Sequence, residues 1–287
     1  MITAEAAVMT NTMAASATII REANFRANRA PLVTLRNINK TFANGTVAID
    51  DVSFEVRQGD FLSLVGPSGC GKSTALRLIS KLTTPTSGKI DWHGGVPAAG
   101  DIGFVFQEAT LMPWATVWDN TYLPLKLKGI SKTGAEPLIE EALTRVNLLK
   151  FAKSYPRELS GGMKMRVSIA RSLVMRPKIL LMDEPFAALD EITRFRLNKD
   201  LLELWQTYDW TVIFVTHSVF ESVFLSNRIV VMSPNPGRVF QEIDVTAGHP
   251  RDELFRTSAT YSANCRIASD ALEAAMKIGP ASFGAHL

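Results

Sequence analysis

Cysteine is scarce: Cys70 and Cys265 are the two in a chain of 287 residues. So few thiols build no disulfide framework and fit a reducing compartment. Long apolar runs are missing too. Stretches such as 211–215 and 229–232 are strand-sized, far below the roughly 20 residues that a membrane span requires. Neither charge sign dominates, with 31 basic and 28 acidic residues and a net charge of +3. With no concentrated basic stripe, nucleic acid is not an expected partner. There is no internal repeat and no sustained heptad pattern, which excludes solenoids and long coiled coils. The first residues lack a basic stretch followed by an apolar core, so they do not read as a secretory signal. Arg21, Arg26 and Arg29 give them a faint likeness to a transit peptide, but 1–31 is expected to be a plain disordered extension.

With those classes removed, 46% hydrophobic and 21% charged residues describe a globular enzyme. The most informative string is Gly66-Pro67-Ser68-Gly69-Cys70-Gly71-Lys72-Ser73-Thr74. It satisfies the G-x-x-x-x-G-K-[ST] phosphate loop. The apolar run 61–65 before it reads as a buried parallel strand, and Leu76, Leu78, Ile79 and Leu82 after it give a helical stripe over 73–82. Glycines let backbone N–H groups curl around phosphate oxygens, and the helix N-terminus adds unpaired donors. Lys72 suits the β- and γ-phosphates, and the Ser73 hydroxyl suits Mg²⁺. A Gly-rich turn is the bland alternative, and the strand and helix on either side argue against it. The loop alone does not separate a transport ATPase from a kinase or a GTPase.

Asp183 and Glu184 follow the apolar run 179–182. The carboxyl end of a buried parallel strand is where open α/β sheets bind ligands. Asp183 is positioned to hold Mg²⁺, and Glu184, pointing elsewhere, to act as general base on water. Solvated carboxylates at a strand end would be the alternative without the upstream loop. Leu159-Ser160-Gly161-Gly162-Met163 opens an amphipathic helix over 162–175, with Ser160 as N-cap and a second anion site at its head. An ordinary cap explains that string equally well in isolation. His217, after the strand 211–215, could by itself be a satisfied histidine.

The whole ordered set resembles the ATP-binding subunits of ABC transporters: phosphate loop, Gln107 after a strand, Leu159–Met163, Asp183-Glu184, Ala188-Leu189-Asp190 and His217. The likeness spans about 32 to 245. It implies an α/β P-loop NTPase fold with a parallel core sheet, an N-terminal antiparallel β subdomain and a helical insertion. It implies ATP and Mg²⁺ as cofactors, with ATP hydrolysis. Phe42 would stack on adenine. Gln107 would sense Mg²⁺ and the γ-phosphate. Ser160, Gly161 and Gly162 would bind the ATP of a second copy, Asp190 would touch that copy, and His217 would contact the γ-phosphate. Met163 and the segments 106–114 and 233–238 are similar to importers of the nitrate, sulfonate and taurine group. Met165 is less usual there. The implied partners are integral membrane permease subunits, a second copy and an extracytoplasmic solute-binding protein. The implied location is the cytoplasmic face of the inner membrane. Competing readings are a non-transport ABC ATPase on nucleic acid or the ribosome, and a P-loop small-molecule kinase.

Between these motifs, strands are expected at 102–106, 179–182, 211–215, 229–232 and 238–245, and helices at 135–149 and 162–175. The domain reading is 32–245 with a helical subdomain at about 108–177, then a helical tail over 246–287. Trp114 and Trp118 stand four apart. Core packing on one helical face is the default for such a pair, with a partner-facing Trp114 as the alternative. Cys70 reads as a small residue of modest reactivity. The run Lys126, Lys128, Lys132 reads as a solvated face.

Overall fold

The computed structural model describes residues 29–278 except 99, 246 and 250; most of the expected extension, 1–28, lies outside them. Nine strands and eight α-helices occur among the described residues, with two short 3₁₀ turns at Leu149–Phe151 and Pro156–Glu158. In chain order they are β1 (Pro31–Thr41), β2 (Val47–Arg57), β3 (Phe61–Val65), α1 (Lys72–Ile79), β4 (Ser87–Trp92), β5 (Ile102–Val105), α2 (Val117–Leu127) and α3 (Lys132–Arg145). Then come α4 (Gly161–Leu173), β6 (Ile179–Asp183), α5 (Glu191–Tyr208), β7 (Thr211–Thr216), α6 (Val219–Leu225), β8 (Arg228–Ser233), β9 (Arg238–Asp244), α7 (Glu253–Arg256) and α8 (Ala259–Lys277).

A six-stranded sheet runs β5-β6-β7-β3-β8-β9, and a three-stranded sheet runs β2-β1-β4. The large sheet is parallel except for the β8–β9 hairpin pair. Its central strands are buried on both faces, which explains their unbroken apolar runs. Side-chain alternation then splits the core in two. Phe61, Val65, Leu180, Met182, Val212 and Phe214 face the cluster built with α2–α6 and α8. Leu62, Leu64, Leu181, Ile213 and Val215 face α1 and the antiparallel sheet. The fold is the α/β class that the sequence implies. Among the described residues no helix is long and apolar enough to cross a membrane.

Several element ends differ from the sequence reading, each for a local reason. Helix α1 begins at Lys72 and stops at Ile79, because Lys81 takes φ 62, outside helical space. Ser131 caps α3 earlier than expected by accepting from Gly134 N, and Asn147 at φ 57 ends the helical path sooner. Strand β4 went unassigned from sequence, since SGKIDW has little apolar periodicity and its first residues are exposed. The two tryptophans do not share a helical face. Trp114 lies in the turn before α2 and is 77% exposed, so core packing is not its role. Trp118 is partly buried, with its ring 5.0 Å from that of Tyr122. Just ahead of β1, Arg29 donates to Asp209 Oδ1 at 2.7 Å.

The tail is fastened to the core by a buried cation. Arg251 is 3% exposed and donates to the carbonyls of Val223, Phe224 and Ser226 at 3.0, 3.0 and 2.8 Å, and to Ala247 O at 3.1 Å. The first three lie at the C-terminal end of α6, where the last carbonyls lack helical partners and the helix dipole favours positive charge. Tyr261 adds a second grip, its hydroxyl donating to Phe220 O at 3.1 Å. We expect Arg251→Met to destabilise the protein by about 3 kcal/mol, because it strands several buried carbonyls at once. Urea unfolding checks this; a loss below about 1 kcal/mol would show that water replaces the guanidinium without penalty.

Candidate nucleotide site

The site is assembled at the carboxyl ends of the central strands of the large sheet. Register pairs Val65 with Thr216 and Asp183 with Val215. The phosphate loop, Glu184 and His217 therefore leave three neighbouring strands at the same level. Gly69 and Gly71 hold φ values of 80° and 88°, a region that favours glycine. At Gly71 a Cβ would also come within 2.7 Å of Ala48 O. Gly71 stands at the N-cap of α1 and carries no side chain to cap it, so the first-turn N–H groups are left for an anion. Pro67 O accepts from Cys70 N at 3.3 Å, closing the turn that carries Ser68.

Lys72 is only 4% exposed, and its Nζ donates to Gly66 O at 2.8 Å and Pro67 O at 3.0 Å. The charge is thus held at the loop by carbonyls that a phosphate would displace. Cys70 is fully buried, with Sγ 3.8 Å from Lys72 Nζ. Burial pushes its thiol up, with Lys72 opposing. It is therefore less reactive than its place in the loop suggests, and burial already shields it from reagents. Cys265 is buried as well, and both cysteines are free.

Ser73 Oγ donates to Asp183 Oδ1 at 2.7 Å. Burial raises the Asp183 carboxyl above its ordinary range and the Glu184 charge adds to this, against the Ser73 hydrogen bond, Arg77 and Lys72. Two hard oxygen donors side by side next to a phosphate loop suit Mg²⁺, which takes few protein ligands and keeps waters and phosphate oxygens. Thr74 follows on the first turn of α1.

Glu184 takes φ 47, and its N–H donates to Val215 O at 3.0 Å. A left-handed conformation at a non-glycine residue is a strained one, and such residues gather at functional sites. It turns the chain out of β6 and brings Glu184 Oε2 to 3.4 Å from His217 Nδ1. The carboxylate is partly sheltered and the imidazole is 55% exposed. The Glu184 carboxylate can receive a proton from water, with the His217 ring beside it to orient the carboxylate.

Gln107 is exposed, two residues beyond the end of β5. That strand is one residue shorter than expected, but its pairing of Val105 with Met182 still sets Gln107 beside the Asp183 end of β6. Arg171 of α4 donates to Ala109 O and Thr110 O, both at 2.9 Å, tying the segment after Gln107 to that helix. An open groove of about 520 Å³ adjoins it, with Phe104, Phe106, Leu123, Leu127 and Met175 among its walls. Phe42 follows β1 in the hairpin loop, 40% exposed, with Lys40 Nζ 5.4 Å from its ring centre.

A second cluster forms elsewhere on the chain. Ser160 caps α4 by accepting from Met163 N at 3.3 Å. A Cβ on Gly161 would meet Leu189 Cδ2 at 3.3 Å, and one on Gly162 would meet Thr193 Cγ2 at 2.9 Å. The α4 head thus lies against the Asp190 loop. Asp190 caps α5, accepting from Thr193 N at 2.9 Å, and that bond holds its carboxyl below the usual range. Sequence reading missed two residues in this neighbourhood, Arg194 and Glu221. The string Ser218-x-x-Glu221, which reads as a capping box, was the available signal.

Comparison with known proteins agrees with this geometry. Residues 49–187 match the ABC transporter family. An uncharacterized ABC transporter ATP-binding protein of Methanocaldococcus jannaschii is 46% identical over 79% of this chain and 86% of its own length. A nitrate import ATP-binding protein of Synechocystis is 43% identical over 79% of this chain and 86% of its own. An aliphatic sulfonates import ATP-binding protein of Bacillus thuringiensis subsp. konkukian is 41% identical over 77% and 89%. Among solved structures, a dimeric bacterial ABC transporter cassette aligns with TM-score 0.65 and 33% identity, covering 76% of this chain and all of the other. The post-hydrolysis dimer of that cassette, bound to ADP and Pi, aligns equally well. The chain belongs to the ABC transporter family, as an ATP-binding and ATP-hydrolysing subunit.

Proposed function

We propose that this subunit energises the import of a small anion such as nitrate, a sulfonate or taurine. The observation that carries the reading is the identity of 43% and 41% to nitrate and sulfonate import proteins over most of both chains. The proposed ATP-binding domain is 32–245, with a helical subdomain at about 108–177 and a tail over 246–287. The subunit works at the cytoplasmic face of the membrane, on permease subunits supplied with anion by a solute-binding protein. Two copies close on ATP. The phosphate loop of one copy holds the phosphates, Phe42 stacks on adenine, and Ser160, Gly161 and Gly162 of the other copy meet the γ-phosphate. Asp190 belongs to the contact between copies.

Ser73, Asp183 and Gln107 would hold Mg²⁺, which when bound neutralises phosphate charge. Lys72 leaves the Gly66 and Pro67 carbonyls for the β- and γ-phosphates. Glu184 accepts the proton of the attacking water through its carboxylate. His217, 3.4 Å from Glu184, orients that carboxylate and donates toward the γ-phosphate. The groove beside the segment after Gln107 receives a loop of the permease. Its apolar walls, its tether to α4 through Arg171, and its closeness to the γ-phosphate sensor all support that occupant.

We expect Glu184→Gln to lower turnover at least 100-fold while ATP binding is retained, since the amide keeps the shape but accepts no proton. Light scattering with ATP should then report a stable dimer; turnover near wild type would remove the base role from Glu184. Trp114→Ala should reduce permease-coupled ATPase activity. Its unfolding free energy should stay within about 0.5 kcal/mol of wild type, as for an exposed side chain. Unchanged coupling in reconstituted vesicles would take Trp114 out of the permease contact.

A further inference from the structure

One acidic side chain beside the site makes more contacts than its place in a helix needs. Glu221 lies in the first turn of α6, and its side chain is 11% exposed. Ser218-Val219-Phe220-Glu221 has the spacing of a capping box, in which the glutamate would turn back to the N–H of Ser218. It does not. The Ser218 N–H donates instead to Thr216 Oγ1 at 3.0 Å, and that hydroxyl donates to Glu221 Oε2 at 2.6 Å. Ser218 Oγ accepts from the Glu221 N–H at 3.3 Å. The residues before and after His217 are therefore both tied to Glu221.

The other carboxylate oxygen faces a different element. Glu221 Oε1 accepts from Asn198 Nδ2 at 3.2 Å and stands 4.0 Å from Arg194 Nε, a charge contact too long for a hydrogen bond. Both partners lie on α5, the helix that Asp190 caps. Arg194 Nη2 reaches back to donate to Leu189 O at 2.8 Å, inside the loop that carries Asp190. A path of polar contacts thus runs from Leu189 through Arg194 to Glu221, on to Thr216 and Ser218, and so to His217 and Glu184.

We propose that Glu221 is a positioning residue that yokes the Asp190 loop to His217, so that a shift of that loop moves the imidazole relative to Glu184. This rests on the roles given above to Asp190 and His217. Two features favour it over a helix-start role. The carboxylate is diverted from the Ser218 N–H to the side chain just before His217. Its second oxygen is committed to α5, where helix stability gains nothing. Closure of a second copy on Asp190 would then be felt at His217 of the same chain. A pocket of about 210 Å³ beside Arg194, Asn198 and Glu221 leaves water access, so the link can be cut without opening a void in packed core.

The test is steady-state ATP hydrolysis by the full chain across ATP concentrations, with melting curves. The variants are Glu221→Gln, Arg194→Met, the double variant and His217→Ala. Each of the first two should lower kcat about tenfold with KM within about twofold and the melting temperature lowered by no more than about 4 °C, and the double should be no slower than about twofold beyond either single. A helix-start role predicts a lower melting temperature with kcat of the folded protein intact, and that result overturns the proposal. Multiplying single effects overturn it as well. If Glu221→Gln does not fold, Arg194→Met combined with His217→Ala decides alone, and full additivity sinks the link. His217→Ala with wild-type turnover would remove the underlying role of His217. An inactive His217→Ala beside fully active Glu221→Gln and Arg194→Met would remove only the yoke.

Discussion

The register of three parallel strands governs everything else in this molecule. β3, β6 and β7 are buried on both faces, and their pairing sets Val65 against Thr216 and Asp183 against Val215. A slip of one residue would send every core side chain to the opposite cluster, so the register is strongly specified. Because it is, the residues just past these strands emerge together: Gly66, Glu184 and His217. The Ser73–Asp183 hydrogen bond spans 110 residues of sequence and depends on that alignment.

The paired strand ends also explain why strain is tolerated here. Glu184 holds φ 47 one residue past β6, anchored by its N–H on Val215 O. A left-handed non-glycine conformation costs of order 1–3 kcal/mol and persists only where the surroundings over-determine it. The paired strands provide that restraint. In return the side chain leaves the sheet toward His217, which a continued strand would not permit.

Around these strand ends the other elements are held by polar ties. Arg171 fastens the segment after Gln107 to α4, Arg194 and Asn198 join α5 to the start of α6, and Arg251 fastens the tail to the end of α6. Helix α6, seven residues long, is gripped at both ends. Such contacts are directional, so they fix the orientation of the side chains they join as well as their distance.

The sequence by itself determined the local chemistry. Gly69, Gly71, Lys72 and Ser73 encode a loop for phosphate through backbone conformation and donor type, and Ser160 encodes a helix start through its side-chain oxygen. The apolar runs 61–65 and 211–215 announced a parallel sheet because both faces had to be covered. These signals act over a few residues, so they survive in the linear string. Strand β4 was not legible, because its edge position asks for little apolar alternation. What tertiary structure alone decided is adjacency. Nothing in the string says that Trp114 would face outward, that Cys70 would be sealed in, that Arg251 would be buried on helix carbonyls, or that Glu221 would leave its own cap for Thr216 and α5. Each of those outcomes depends on which distant surfaces meet. That is settled by strand pairing and core packing across the whole chain, not by the preferences of neighbouring residues.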